Sequence, residues 1–386
     1  MSQAARLETA LAAAIGGPAP MAAGDSVADM LASVLHAFTR WLADQLPHPD
    51  TPLFGIMREG RLLAELHRQQ GGTAAELWLN RRLCMKAAIL SADDDEALRN
   101  FLVRGRRRPL STEQAAAELG VPPPPCAGKT LADGSDALEA FIAGLRAPAV
   151  AAPLTQRLWE MRQRLLAHLD AVGALSAPVL FLTDLGYAAN IQNALEKILR
   201  HDGRNIRTVG LYLLTTPGAR WVAVRGGETR GFLAQLGEPA WFTRLFTRSP
   251  EPLEALCASN EGPLLDWNPD GTVRLAPNVL PTEQRAAIGV IQNAVIHATP
   301  PALDAAAAGL RLARFLALPT RMEAETLSPW QYEETLTGHT VALARPVDGS
   351  PWEQERATLP WPAAAARLGG WDDQRLLDRA VAMTRG

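Results

Sequence analysis

Three short stretches carry side chains whose types and spacing could do chemistry. Asp184-Leu185-Gly186-Tyr187-Ala188-Ala189-Asn190-Ile191-Gln192 follows the apolar run Val179 to Leu182. An acid at a strand end, then a glycine turn opening a helix, can hold a sugar hydroxyl or a metal ion on the carboxylate. The first amides of such a helix can hold an anion. Arg58-Glu59-Gly60 follows a second apolar run, Leu53 to Met57. Arg58 there can grip a phosphate or carboxylate with its two-pronged fork, or simply pair with Glu59 or Glu65. Asn80-Arg81-Arg82 follows Leu77-Trp78-Leu79 and sets two more arginines at a strand end, as anion ligands or as solvated surface charge. A plain Asp-x-Gly turn with no ligand is the structural alternative for the first stretch.

Other chemistry lacks a signature. There is no Gly-x-Ser-x-Gly elbow, no His-x-x-x-His pair and no Gly-x-Gly-x-x-Gly. The 7 histidines show no ligand spacing, and Cys84, Cys126 and Cys257 are too scattered for a zinc site or a disulfide framework. No metal-ligating set is expected. Ala127-Gly128-Lys129-Thr130 resembles the end of a phosphate loop, but Pro123 stands where its first glycine belongs and no strand precedes it. Asp93-Asp94-Asp95 opens a helix rather than forming a nucleophile site.

The elements that must position these residues follow from periodicity. Val179 to Leu182 and Val209 to Leu214 are short apolar runs, separated by helical spacing at Ile191, Ala194, Leu195, Ile198 and Leu199. That is a strand–helix–strand unit of a parallel sheet. Further strands are expected at 53–57, 77–79 and 221–224, with a hairpin around Asn268-Pro269-Asp270-Gly271. The chain reads as an α/β protein: a mainly parallel sheet with flanking helices and a helical insertion. Residues 1–50 form an N-terminal helical arm, 51–108 the first part of the core and 109–172 the insertion. Residues 173–345 form the second part of the core, and 346–386 a Pro/Trp-rich tail and helix. The arm is expected either to pack loosely or to contact a protein partner.

Composition excludes several classes. The chain has 386 residues, 47% hydrophobic and 20% charged, with a net charge of −3, so it carries no electrostatic footprint for nucleic acid. No run of about eighteen apolar residues predicts a membrane span. A polar start without a secretory pattern predicts a cytoplasmic protein.

The three stretches also carry a resemblance. Phe54 to Leu66, around Arg58-Glu59-Gly60, resembles an Arg-Asp-Gly element of a bacterial family. Leu79 to Ala88 resembles its V-S-R-R element, and Asp184 to Gln192 is similar to its D-I-G-W-x-G-T-I-Q. The family consists of large proteins of surface-polysaccharide gene clusters, described as haloacid-dehalogenase-superfamily hydrolases. The similarity runs over about residues 50–330 and falls on the region after their hydrolase domain, which has no counterpart here. Glycine-threonine of the motif is replaced by Ala189-Asn190. What the resemblance implies is an envelope-polysaccharide biosynthesis protein binding a phosphorylated sugar or sugar nucleotide, a transferase if active. Asp184 would be the catalytic acid. Arg58, Glu59, Gly60, Arg81, Arg82, Gly186, Tyr187, Asn190 and Gln192 would bind substrate. The cofactor is open, magnesium being one candidate. A weaker similarity is to type I phosphoribosyltransferases, which would set Asp184 on the ribose or its magnesium. The remaining alternative is a catalytically degenerate scaffold or partner subunit.

Overall fold

The computed structural model describes residues 3–15, 26–104, 109–122, 128–333, 340–354 and 358–385. Its centre is one five-stranded sheet of β1 (Leu53–Ile56), β2 (Ala74–Leu77), β3 (Val179–Tyr187), β4 (Arg207–Thr215) and β5 (Glu228–Ala234). The strand order is β2-β1-β3-β4-β5 and every pairing is parallel. Helices cover both faces, so the expected α/β architecture is present. β1 lies directly beside β3, with Leu53 opposite Phe181 and Gly55 opposite Thr183. The two polar turns that follow these strands therefore open at one sheet edge. Sheet growth also reverses between β1 and β3, and in open α/β sheets ligands bind beyond the strand ends at that switch point.

Successive strand residues face opposite layers, as the two-residue period requires. Phe181, Val209 and Leu211 pack toward Val27–Gln45, Gly60–Gln69 and Ala305–Ala317, with Phe38, Leu63 and Phe315 in the same core. Phe54, Leu180 and Leu182 pack toward Arg81–Ala87, Asn190–His201 and the end of Pro148–Ala171, through Leu165, Leu195 and Ile198. Among the described residues, 109–172 hold the helices Thr112–Leu119, Asp136–Leu145 and Pro148–Ala171 and no strand of the sheet. Ser111 and Gln114 cap the first of these reciprocally. Leu119, Phe141, Leu154 and Leu158 close a small core of their own with Leu98 and Phe101. No single described helix is long and apolar enough to cross a membrane; Asp136–Leu145 and Pro148–Ala171 meet both criteria only together, bent by 81°.

Several elements depart from expectation. The second strand is Ala74–Leu77 rather than 77–79. Its residues are mostly half-buried at the sheet edge, so no clean apolar run marks it. Trp221 to Val224 belong to the helix Arg220–Val224, where Val222 is buried and Trp221 and Val224 point outward. The strand at this edge is β5, whose first five residues are half-buried, four of them polar or glycine. The N-terminal helix Gln3–Ile15 is docked rather than loose: Leu11 and Ala12 enter the main core. Glu8 is buried beside Arg311 and Arg314, at 3.9 and 3.7 Å. The C-terminal segment is likewise core, with Trp361 fully buried and its indole donating to the Leu316 carbonyl at 2.8 Å. The hairpin at 264–275 forms as expected. Cys84 and Cys257 are buried free thiols. Cys126, Pro123 to Pro125 and the basic run Arg106 to Arg108 lie outside the described residues.

Candidate functional site

Beyond the ends of β1, β2 and β3 lies a cavity of about 320 Å³. β1 and β2 contribute through the turns that follow them, and β3 through its own carboxyl end and the loop after it. From β3, Asp184 sits at the floor and its Oδ1 accepts from the Leu185 amide at 2.7 Å. The chain then takes left-handed backbone at Gly186 (φ 108°), Tyr187 (φ 84°) and Ala189 (φ 51°) before entering the helix Asn190–His201. Only glycine fits at 186, because a Cβ there would lie 2.2 Å from the Leu214 carbonyl oxygen. Ala189 has no side chain that can cap the helix, so the first amides keep their donors for another acceptor.

From β1 comes Glu59, whose Oε2 accepts from the Arg58 amide at 3.2 Å. Gly60 does not contact a ligand space. It lets the helix Gly60–Gln69 start against the strand, since a Cβ on Gly55 would lie 2.3 Å from the Gly60 carbonyl oxygen. From β2 come Asn80 and Arg81. Asn80 caps the helix Arg81–Ala87 by accepting from the Leu83 amide at 2.8 Å, which turns Arg81 toward the cavity and Arg82 away.

The remaining wall carries residues that motif reasoning did not single out. Glu254, on the short helix Glu251–Cys257, accepts the Tyr187 hydroxyl at 2.7 Å and the Tyr332 hydroxyl at 2.6 Å. Tyr212, from β4, closes the floor. The chain has three tyrosines and all of them line this cavity. That scarcity was the one available signal, because Glu254 and Tyr332 belong to no spaced motif and meet only through the fold.

Three carboxyls thus share a confined space, and their titration follows. Burial pushes Asp184 well above the usual carboxylate range, and the negative charge of Glu59 and then of Glu254 adds to the push. Burial also raises Glu59; Arg58 opposes it and Glu254 reinforces it. The Tyr187 phenol is pushed up by burial and then by Glu254. Among the described residues no salt bridge reaches Glu59 or Asp184. Acids raised in this way keep their protons to higher pH than ordinary carboxyls do, a pattern that gathers at sites of general acid–base chemistry. No three histidine, cysteine, aspartate or glutamate side chains among the described residues are arranged to hold a metal ion.

The sequence-derived residues therefore divide. Glu59, Arg81, Asp184, Gly186, Tyr187 and Asn190 meet at the cavity. Arg58 lies behind it, donating to the buried Glu333 at 2.8 Å. Arg82 pairs with Glu118 at 3.1 Å. Gln192 is fully buried and ties β4 to β5, donating to the Thr208 hydroxyl and the Glu228 carbonyl, both at 2.8 Å, and accepting the Tyr212 hydroxyl at 3.0 Å. A comparison with protein-family models finds no match, and a comparison with curated proteins finds no significant relative.

Proposed function

We propose that the chain is a transferase of bacterial surface-polysaccharide assembly that binds a phosphorylated sugar or sugar nucleotide in this cavity. The observation that carries the reading is the meeting of two acids, Asp184 and Glu59, with an uncapped helix start at a sheet switch point. Carboxylates recognise vicinal sugar hydroxyls as acceptors, and the helix amides beside Arg81 favour a phosphate. The order of the Arg58-Glu59-Gly60, Asn80-Arg81-Arg82 and Asp184–Gln192 elements supports the polysaccharide setting by resemblance. Within that reading Asp184 is the proton acceptor for an attacking sugar hydroxyl, because it lines the cavity floor at the strand end and its affinity for protons is raised above that of an ordinary carboxylate. Glu59 keeps that affinity high. Glu254 is held by two phenols and fixes the wall instead of reacting.

The test is a panel of sugar 1-phosphates and nucleotide sugars at millimolar concentration, read by thermal shift with and without magnesium. Binding to the folded state alone raises the melting temperature by mass action. Asp184→Asn should lower turnover with the responding ligand by about 10²–10⁴-fold, the range for loss of a positioned base. A panel that shifts nothing in either condition overturns the proposal.

A further inference from the structure

A second cavity of about 510 Å³ opens on the far side of the loop that bounds the first. Ala188 and Asn190 line both, so the loop between β3 and the helix Asn190–His201 is a shared wall. Gly218, which lines the second cavity, packs closely on Ala188 of this wall: an added Cβ there would lie 2.9 Å from the Ala188 Cβ. The chemistry changes across it. The second cavity is lined by Arg104, Lys197 and Arg225 against the single carboxylate Glu96, and by the half-exposed indole of Trp221.

We propose that this second cavity is a nucleoside-diphosphate subsite, which rests on the sugar-nucleotide reading of the first cavity and narrows it. Sugar and nucleotide would then lie on opposite sides of the 188–190 loop, with the diphosphate passing over Asn190. Three features support this. Trp221 offers a ring face on which any base can stack, and the Arg220 guanidinium lies 5.3 Å from its centroid. Lys197 is held in place by Asp94 at 2.5 Å and is largely buried, so its charge is aimed before a ligand arrives. Arg225 is steadied by Asn193 at 2.9 Å, while its other partner Glu96 is 61% exposed. A phosphate can displace so exposed a carboxylate at little cost.

The experiment is calorimetric titration of the full chain with UDP, with GDP and with glucose 1-phosphate, repeated on Trp221→Ala, Arg225→Gln and Asp184→Asn. The outward-facing Trp221 side chain and the partly exposed Arg225 make folding failure easy to separate by circular dichroism. At least one nucleoside diphosphate should bind, and Trp221→Ala should weaken it roughly five- to a hundredfold, the range for loss of base stacking. Arg225→Gln should weaken it as well, while Asp184→Asn should not. Glucose 1-phosphate should respond in the opposite pattern. Binding of glucose 1-phosphate without either nucleotide sinks this inference and leaves the proposed function standing. A nucleotide bound equally by wild type and both second-cavity variants sinks it too. Failure of all three probes to bind overturns both readings.

Discussion

On one side of the 188–190 loop the walls carry Glu59, Asp184 and Glu254 against Arg81; on the other they carry Arg104, Lys197 and Arg225 against Glu96. The two sides are also built differently. The acid side is made by strand ends plus Glu254 and Tyr332, which the fold brings in from far along the chain. The basic side is made by helices, from the segment between β2 and β3 and from Asn190–His201 and Arg220–Val224. On the basic side the cations are met by carboxylates, Asp94 at 2.5 Å from Lys197 and Glu96 at 2.9 Å from Arg225, whose guanidinium cannot shed its charge. Carboxyls can take up a proton, so Asp184 and Glu59, which make no salt bridge among the described residues, are raised instead, Glu59 against the opposing charge of Arg58. On the proposed function, the paired cations would hold substrate and the raised acids would react.

The largest expected effect tests whether Arg58 belongs to the reacting side. Its guanidinium and the Glu333 carboxylate are 11% and 5% exposed, so Arg58→Ala strands a buried charge. Breaking such a pair costs about 3–5 kcal/mol. Chemical denaturation should show that loss, while ligand affinity of the remaining folded protein stays within a few-fold. A selective loss of affinity at unchanged stability would return Arg58 to the ligand set.

Next comes the wall that shapes the acid side. Tyr332→Phe removes one of the two phenols on Glu254 and leaves a buried oxygen without its donor. That should destabilise by about 1–3 kcal/mol. Tyr187→Phe should cost a similar amount, because the second phenol is equally close. If either change is neutral in denaturation, Glu254 is not held as described.

The sign reverses at Asp184. Its pKa is raised on folding, so between the ordinary carboxyl value and the raised one the native state binds more protons than the unfolded state. Stability from this group is therefore full at low pH and declines as pH rises from about 4 through the raised value. Asp184→Asn removes the decline. The variant should be more stable than wild type at neutral pH by roughly 0.5–2 kcal/mol, with the gap closing toward pH 4, even as turnover falls. Glu59 is raised as well, so part of the slope should survive in the variant. Melting temperature against pH decides it: a constant difference between the two curves contradicts the argument.

How much of this was legible beforehand depends on burial. β1 and β3 are buried along most of their length and announce themselves as apolar runs, and their shared edge follows from the turns that end them. β2 and β5 are half-buried edges whose side chains need not be apolar, so no pattern marks them. Asp184 and Gly186 were readable because a strand end and a left-handed turn restrict residue type locally. Glu254 and Tyr332 were not, since their roles arise from contacts across the fold. Gln192 looked like a ligand because it follows the loop, yet two residues of helix, about half a turn past Asn190, swing it from the cavity into the core. Arg58 misled for the opposite reason: Glu333, which neutralises it, is remote in sequence.

The smallest expected effect lies in the shared wall itself. Ala189 holds φ 51°, ψ 37°, a conformation that costs a residue with a Cβ about 1–2 kcal/mol. In the motif that this stretch resembles, glycine occupies the position. Ala189→Gly relieves the strain but adds unfolded-chain entropy worth roughly 0.5–1 kcal/mol, so the net gain should be under about 1 kcal/mol. Loop motion is the more informative readout. Ala189 is buried and packs with Tyr212, Ala219 and Val222, so its methyl joins the acid-side floor to the basic-side helix Arg220–Val224. Removing it should speed amide exchange at 188–191 without lowering the melting temperature. Ala189→Val should do the reverse damage, because a branched side chain is poorly tolerated in left-handed backbone, and should lower stability by more than glycine raises it. Equal melting temperatures for the glycine and valine variants would show that the wall between the two cavities is not set by the backbone at 189.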